Sequence, residues 1–389
     1  MRRILFIGYI GLLLLFTISC EQEVPGPIEN DGVAPAQVSN VTVENLNGAA
    51  RISFDVPSDP DLLYVRAVYT TKKGEIRETK VSKSNSSVMV VGFGDTDAYT
   101  VSLYAVDKGG NASGSVNVTV NPKDPPMELV RKTLTAVPDF GGINVSYENV
   151  NAADVAIVVL TNNELGEFLP VVTHNTKLKK SVFAVRNLKA EDARFGIYVR
   201  DRWGNLSDTL YFNMTPYYEE RLDRKKMKPY VLPTDAGLGY GGSLAKLFDD
   251  DKGDGSFYHS DDAAKMPQWF TFDMGITAKV TRLTYFMRLN AYFALHSPRE
   301  MEIWGSNDPS PDGSFNNWIL LATHTQIKPS GLPVGQLSLA DTDAALAGES
   351  IPISHDLPKV RYIRFKTLKN WTSGTYVNFN ELEVWGDPR

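Results

Sequence analysis

Apolar and polar positions alternate in short runs along most of this chain. Val101, Leu103 and Ala105 share one parity, as do Phe195, Ile197 and Val199, and a period of two buries one face of a strand while wetting the other. Residues 51–56 and 143–147 carry strands of the same kind earlier in each half. Turn-forming residues separate the runs at roughly ten-residue spacing, and no long stretch keeps the 3.6-residue period of an amphipathic helix. The pattern predicts an all-β protein assembled from sandwiches.

Two segments share a signature 94 residues apart, Asp107-Lys-Gly-Gly-Asn-Ala-Ser113 and Asp201-Arg-Trp-Gly-Asn-Leu-Ser207. Each follows an alternating strand, so the chain reads as internally duplicated. The first copy, 34–121, is similar to a fibronectin type III domain, with a proline-rich start and Tyr99 where that fold has its tyrosine corner. The second, 126–218, has Ala193 in place of Tyr99 and resembles it more loosely. Both are expected to be Ig/fibronectin III-like spacers stacked end to end. Pro122-Lys-Asp-Pro-Pro126 reads as a semi-rigid extended hinge. Residues 225–233 supply the second junction, and the basic run Arg224-Lys-Lys-Met-Lys228 reads as solvated linker.

At the N-terminus Arg2 and Arg3 precede an apolar run, 4–18, which ends at Ser19 and Cys20. A run of that length fits a secretory signal and falls short of the ~20 residues that span a bilayer. It resembles a bacterial lipoprotein signal, which implies a signal peptide over 1–19, lipidation of Cys20 and anchoring to a membrane. Cys20 is the sole cysteine, so no disulfide forms within one chain. Residues 20–33 read as a flexible tether. Glu21 and Glu23 resemble the acidic export signal of Bacteroidetes surface lipoproteins, which places the chain on the outer membrane facing the exterior. Two acids in a tether are the plain alternative.

With 389 residues the chain exceeds one ordinary core, and 42% hydrophobic content argues for folded domains throughout. Removing 1–19 leaves 38 basic against 46 acidic residues, 38 − 46 = −8. That balance argues against a phosphate-tracking nucleic-acid binder. His174, His259, His296, His324 and His355 never take zinc-helix spacing, and no Gly-x-Ser-x-Gly, phosphate loop or dinucleotide fingerprint occurs. The glycine-rich 237–242 reads as a turn. No catalytic residue is assigned, and the expectation is a protein that is not an enzyme.

The last 157 residues, 233–389, carry Ser243-Leu-Ala-Lys-Leu-Phe-Asp-Asp-Asp251, Pro267-Gln-Trp-Phe-Thr-Phe-Asp-Met-Gly275, Val360-Arg-Tyr-Ile-Arg-Phe365 and Asn380-Glu-Leu-Glu-Val-Trp-Gly386. This order resembles the discoidin, or coagulation factor V/VIII type C, superfamily, which implies a jelly-roll β-sandwich that binds without transforming. The resemblance also implies a structural Ca²⁺ held by Asp249, Asp251 and Asp254 with Asn380 and Glu381 from the last strand. Hard cations take six to eight oxygens, and a solvated acidic loop is the alternative. Asp250 stands where the family has glycine, a position suited to positive φ.

Trp269, Trp304 and Trp385 sit in strand patterns and are assigned to the core. Aromatics outside strands are the candidate ligand contacts: Trp371 first, then Tyr376, Tyr258, His259, Tyr292 and Phe293, with Arg288 and also His296, Arg299 and Asn370 as polar neighbours. An aromatic ring beside hydrogen-bonding groups matches a sugar's apolar face and its hydroxyls.

The whole arrangement resembles surface lipoproteins of Bacteroidetes glycan-utilisation loci. It implies a non-catalytic protein that binds a poly- or oligosaccharide through its terminal module. It would present this ligand to an outer-membrane glycan transporter or glycosidase. The alternatives are an adhesin or scaffold for a protein partner and, less favoured, an enzyme using the acidic loop with Tyr258 and His259.

Overall fold

A computed structural model describes residues 31–389 apart from 264 and 290. The signal, Cys20 and most of the tether lie outside the described residues. Among the described residues the regular structure is nearly all strand, in three units with three separate apolar cores.

The first unit packs a three-stranded sheet, Ser39–Leu46, Ala49–Asp55 and Ser87–Val91, on a four-stranded sheet ordered Ile76–Ser82, Leu62–Thr70, Tyr99–Asp107, Val116–Val120. The second unit repeats that order strand for strand, with Thr135–Asp139, Gly142–Glu148 and Lys180–Val185 facing Phe168–Thr176, Val155–Asn162, Ala193–Asp201 and Leu210–Met214. The alternating residues do what their parity requires: Val101, Leu103 and Ala105 are fully buried, as are Ile197 and Val199. The shared signature is one turn built twice. Asp107 accepts from the Asn111 backbone and side-chain nitrogens, and Asp201 does the same for Asn205. Tyr99 donates its hydroxyl to Asp95 at 2.7 Å.

The proline segment between these units is pinned rather than free. Lys123 N donates to the Leu46 carbonyl, Asn47 Nδ2 donates to that of Asp124, and Pro126 opens the short helix Pro126–Arg131, where its missing N–H costs nothing. The second turn then reaches back. The Arg77 guanidinium lies 4.6 Å from the Trp203 ring centre, Asn205 Nδ2 donates to the Gly92 carbonyl and Lys73 Nζ to that of Gly204. Gly92 has φ +82°, and a side chain there would collide with Arg77 and crowd Trp203.

The third unit is built around the strand Gln268–Phe286, which pairs with Val360–Asn370 over its first part and with Glu381–Asp387 over its second. Register shifts between Asp273 and Ala278, and between Val280 and Arg282, bend it from one partner to the other. This unit begins well before 233. Glu220–Arg221 pairs with the final strand, Lys228–Pro229 pairs with Asp273 and Phe272, and Leu222 and Met227 are buried in the core. The run 224–228 is therefore no solvated linker. Its apolar Met227 anchors it, and Arg224 neutralises Asp250.

Trp269, Trp304 and Trp385 are not core residues, contrary to expectation. Their neighbours Phe270, Ile303 and Val384 are buried, and alternation turns the three indoles to the opposite faces. Trp269 and Trp304 flank Phe315 at 5.1 and 5.0 Å, and Trp385 lies under the Arg282 guanidinium at 3.9 Å.

Candidate functional site

Four segments of the third unit converge on one group of side chains. The glycine-rich turn 237–242 lies against residues 259–261: Gly239 N donates to the His259 carbonyl and Asp261 N to that of Gly237. A Cβ at Gly242 would collide with the His259 backbone, so the approach requires glycine. The turn holds Tyr240 at φ 54° with its ring 4.7 Å from His259. Tyr258–His259 pairs with Asn378–Phe379, which sends Tyr258 into the core and His259 to the other side.

Tyr376 and His296 complete the group. Their rings lie 5.0 Å apart, Tyr376 meets Tyr240 edge-on at 5.6 Å, and His296 meets His259 edge-on at 5.7 Å. Both tyrosine hydroxyls donate to Asp262, Tyr376 at 2.7 Å. These bonds hold the Asp262 carboxyl below its ordinary range and raise the Tyr240 phenol. His259 Nδ1 donates to the Ser260 carbonyl at 2.7 Å, leaving Nε2. Burial, then the neighbouring His259 and Arg288, push His296 below its ordinary range. His296 Nδ1 and Arg288 Nε are buried without a hydrogen-bond partner, each at a cost of about 1–3 kcal/mol if left unmade. Arg288 lies 4.0 Å over the Phe257 ring.

Of the residues expected from sequence, His259, Tyr376, Arg288 and His296 come together. Tyr258 and Phe293 do not, since each is 1% exposed and packed in the core. Tyr292 is partly buried against that core. Trp371 is held, not free. Its Nε1 donates to Gln326 at 2.7 Å, its ring meets Phe293 edge-on at 5.5 Å, and Arg299 covers it at 4.8 Å. Asn370 frames its loop, donating to the carbonyls of Gly374 and Tyr376 and accepting from Thr372 and Gly374. Sequence reasoning missed Tyr240, Phe257 and Asp262. A lone tyrosine among four glycines was the available signal for the first.

The acidic loop also differs from expectation. Asp249 accepts from Asp251 N and from Ser256 Oγ, and Asp251 accepts from Gly253 N. Asp249, Asp251 and Asp254 are all exposed, while Glu381 is buried, and these carboxylates do not gather into one group of three. Among the described residues, three carboxylates with oxygens mutually within 4.8 Å occur at Asp31, Asp61 and Asp107, in the first unit. Glu381 is fully buried, and burial followed by the Asp249 charge pushes its carboxyl up to about 8. Its Oε2 accepts from Asp250 N at 3.1 Å, while its Oε1 and Asn380 Oδ1 have no partner. Asn380 Nδ2 gathers the Lys252 and Gly253 carbonyls. Asp250 has φ 69°, the glycine-like conformation, and its carboxylate pairs with Arg221 at 2.9 Å and with Arg224.

Three family models cover nearly all the described chain, each for a domain of unknown function: DUF4959 at 35–122, DUF5126 at 123–225 and DUF5000 at 248–386. No curated protein matches. Among solved structures, the SusE-like protein BT2857 is 35% identical, with 68% of this chain and 100% of that one covered and a TM-score of 0.45. A CBM32 module from a family 31 glycoside hydrolase of Clostridium perfringens is 19% identical over 43% of this chain and 95% of its own, with a TM-score of 0.33. A two-domain fibronectin type III segment of chicken tenascin is 16% identical over 46% of this chain and 99% of its own, with a TM-score of 0.23. The chain belongs to the family of the SusE-like protein BT2857.

Proposed function

We propose that this is a non-catalytic cell-surface protein that captures glycan at the end of its third unit, with the first two units as a fixed mount. The observation that carries the reading is the convergence of Tyr240, His259, His296 and Tyr376 beside Arg288, with buried nitrogens lacking any protein partner. Aromatic rings and unspent donors on one surface suit a sugar's apolar face and its hydroxyls. Kinship with a SusE-like protein supports surface display and glycan handling. Lipidation of Cys20, an outward-facing outer-membrane position and delivery to a transporter or glycosidase belong to the same reading.

Asp249, Asn380 and Glu381 would hold a Ca²⁺, which supplies a charge able to tie the acidic loop to the final strand. The two partnerless buried oxygens on Asn380 and Glu381 support this.

The test is a glycan array probed with the whole described chain and with a His259→Ala, Tyr376→Ala double variant. Retention of glycan by the parent and loss by the variant is expected. Failure of the folded parent to retain any glycan would sink the reading.

A scaffold for a protein partner is the second reading, favoured by one feature. Ile327, Leu332, Val334, Leu337, Leu339 and Leu346 are exposed on a segment that is internally tied, with Asp341 accepting from Ser330 and Ser338. Their replacement by polar residues would abolish partner binding while leaving glycan retention intact.

A further inference from the structure

Two cations beside the site have no carboxylate partner among the described residues, which bears on the class of glycan. From Arg221 onward, Arg221, Arg224, Arg282, Arg361, Arg364 and Arg389 each meet a carboxylate within 4.0 Å. Among the described residues Arg288 and Arg299 meet none; Arg299 covers Trp371, whereas Arg288 lies beside the site with its Nε buried and without a hydrogen-bond partner. Lys246 shares the Phe257 ring with it, its Nζ 5.3 Å from the ring centre and donating to the Gly241 and Gly255 carbonyls. His259 spends Nδ1 on the Ser260 carbonyl, and His296 Nδ1 is buried without a hydrogen-bond partner among the described residues.

The acids nearby do not balance this set. Asp262 is engaged by the hydroxyls of Tyr240 and Tyr376. Asp254 is exposed and its charge raises the Tyr292 phenol, while the Asp261 carboxylate is engaged on its own turn, accepting from Ala263 N at 3.1 Å.

Resting on the glycan reading above, we infer that the ligand carries an anionic group, a carboxylate or a sulfate, received by Arg288 and Lys246 while its ring contacts Tyr240 and Tyr376. A planar guanidinium with an unpartnered Nε–H suits an oxyanion better than a hydroxyl, because charge-assisted hydrogen bonds are shorter and stronger. The Phe257 ring is within 5.3 Å of both cations and attracts them without neutralising them.

Titration calorimetry on the whole described chain decides this with matched hexoses in the gluco and galacto series: the neutral sugar, its uronic acid and its 6-sulfate. The acidic member is expected to bind about fivefold to tenfold more tightly, the difference between a charged and a neutral hydrogen bond. The preference should shrink in high salt. Arg288→Gln should weaken the acidic members more than the neutral sugar and so bring their affinities together, and Arg288→Lys should restore part of the difference. Lys246→Gln gives an independent readout should Arg288→Gln fail to fold. Uronate and sulfate arms identify which oxyanion is taken. Equal binding of neutral and acidic members overturns the anionic assignment and leaves the glycan reading standing. Binding of no member, with folding verified, overturns the glycan reading itself.

Discussion

Stability of the third unit should fall with rising pH in chelator, and Glu381 is the residue responsible. Its carboxyl is raised from an ordinary 4.5 to about 8 by burial and by Asp249. Between those values the folded state keeps a proton that the unfolded state has lost, so the folded state binds more protons and stability declines as pH climbs. Below 4.5 both states hold the proton, and above about 8 neither does, which confines the effect to that window. The interval corresponds to roughly 5 kcal/mol, most of it spent by pH 7.5. Ca²⁺ takes the ionised form, displaces the proton and offsets the decline, contributing about 2.7 kcal/mol at a hundredfold excess over its Kd. The assay is thermal unfolding of the whole chain from pH 5 to 9, with chelator or Ca²⁺. Glu381→Gln should flatten the curve in chelator and abolish the Ca²⁺ response. A parent midpoint that stays level across the window in chelator, or a variant that keeps the full Ca²⁺ shift, refutes the argument.

Other outcomes follow from the packing. Leu222→Ala should destabilise the third unit by about 2–5 kcal/mol on chemical denaturation, and a fragment starting at Pro233 should melt lower than one starting at Tyr217. Asp250→Gly should stay within about 1 kcal/mol of the parent, because relief of the positive φ offsets two half-exposed ion pairs; Asp250→Ala, which keeps the strain and loses the pairs, should be clearly worse in the same assay. Tyr240→Ala should weaken glycan binding by about 0.5–1.5 kcal/mol without changing the melting temperature. Gly92→Val should leave both sandwiches folded but raise hydrogen exchange around Trp203, since the added side chain collides with Arg77.

Strand parity made the two sandwiches legible, because Val101, Leu103 and Ala105 can be buried together in only one secondary structure. Parity also made His259 findable, although it could not say which of Tyr258 and His259 faces inward; that depends on pairing with Asn378–Phe379, more than a hundred residues away. The indoles of Trp269, Trp304 and Trp385 were misassigned for the same reason, since residues in strands with both faces partly covered give no preference between them. Composition hid the start of the third unit. Arg224, Lys225, Lys226 and Lys228 dominate their segment, and only Met227 and Leu222 signal the core they enter. Trp371 stood out as an aromatic without alternation, yet its loop folds back on Gln326 and Phe293, a contact no local pattern encodes.

The pairing of Glu220–Arg221 with the last strand has a mechanical consequence. A polymer pulling on the far end of the third unit loads the chain leaving toward the second, and that chain is a sheet member hydrogen-bonded to the C-terminal strand. Force cannot first be taken up by straightening a slack connector. It must shear backbone pairs and extract Leu222 and Met227 from the core, so under drag this junction should fail at the force that unfolds the sandwich itself.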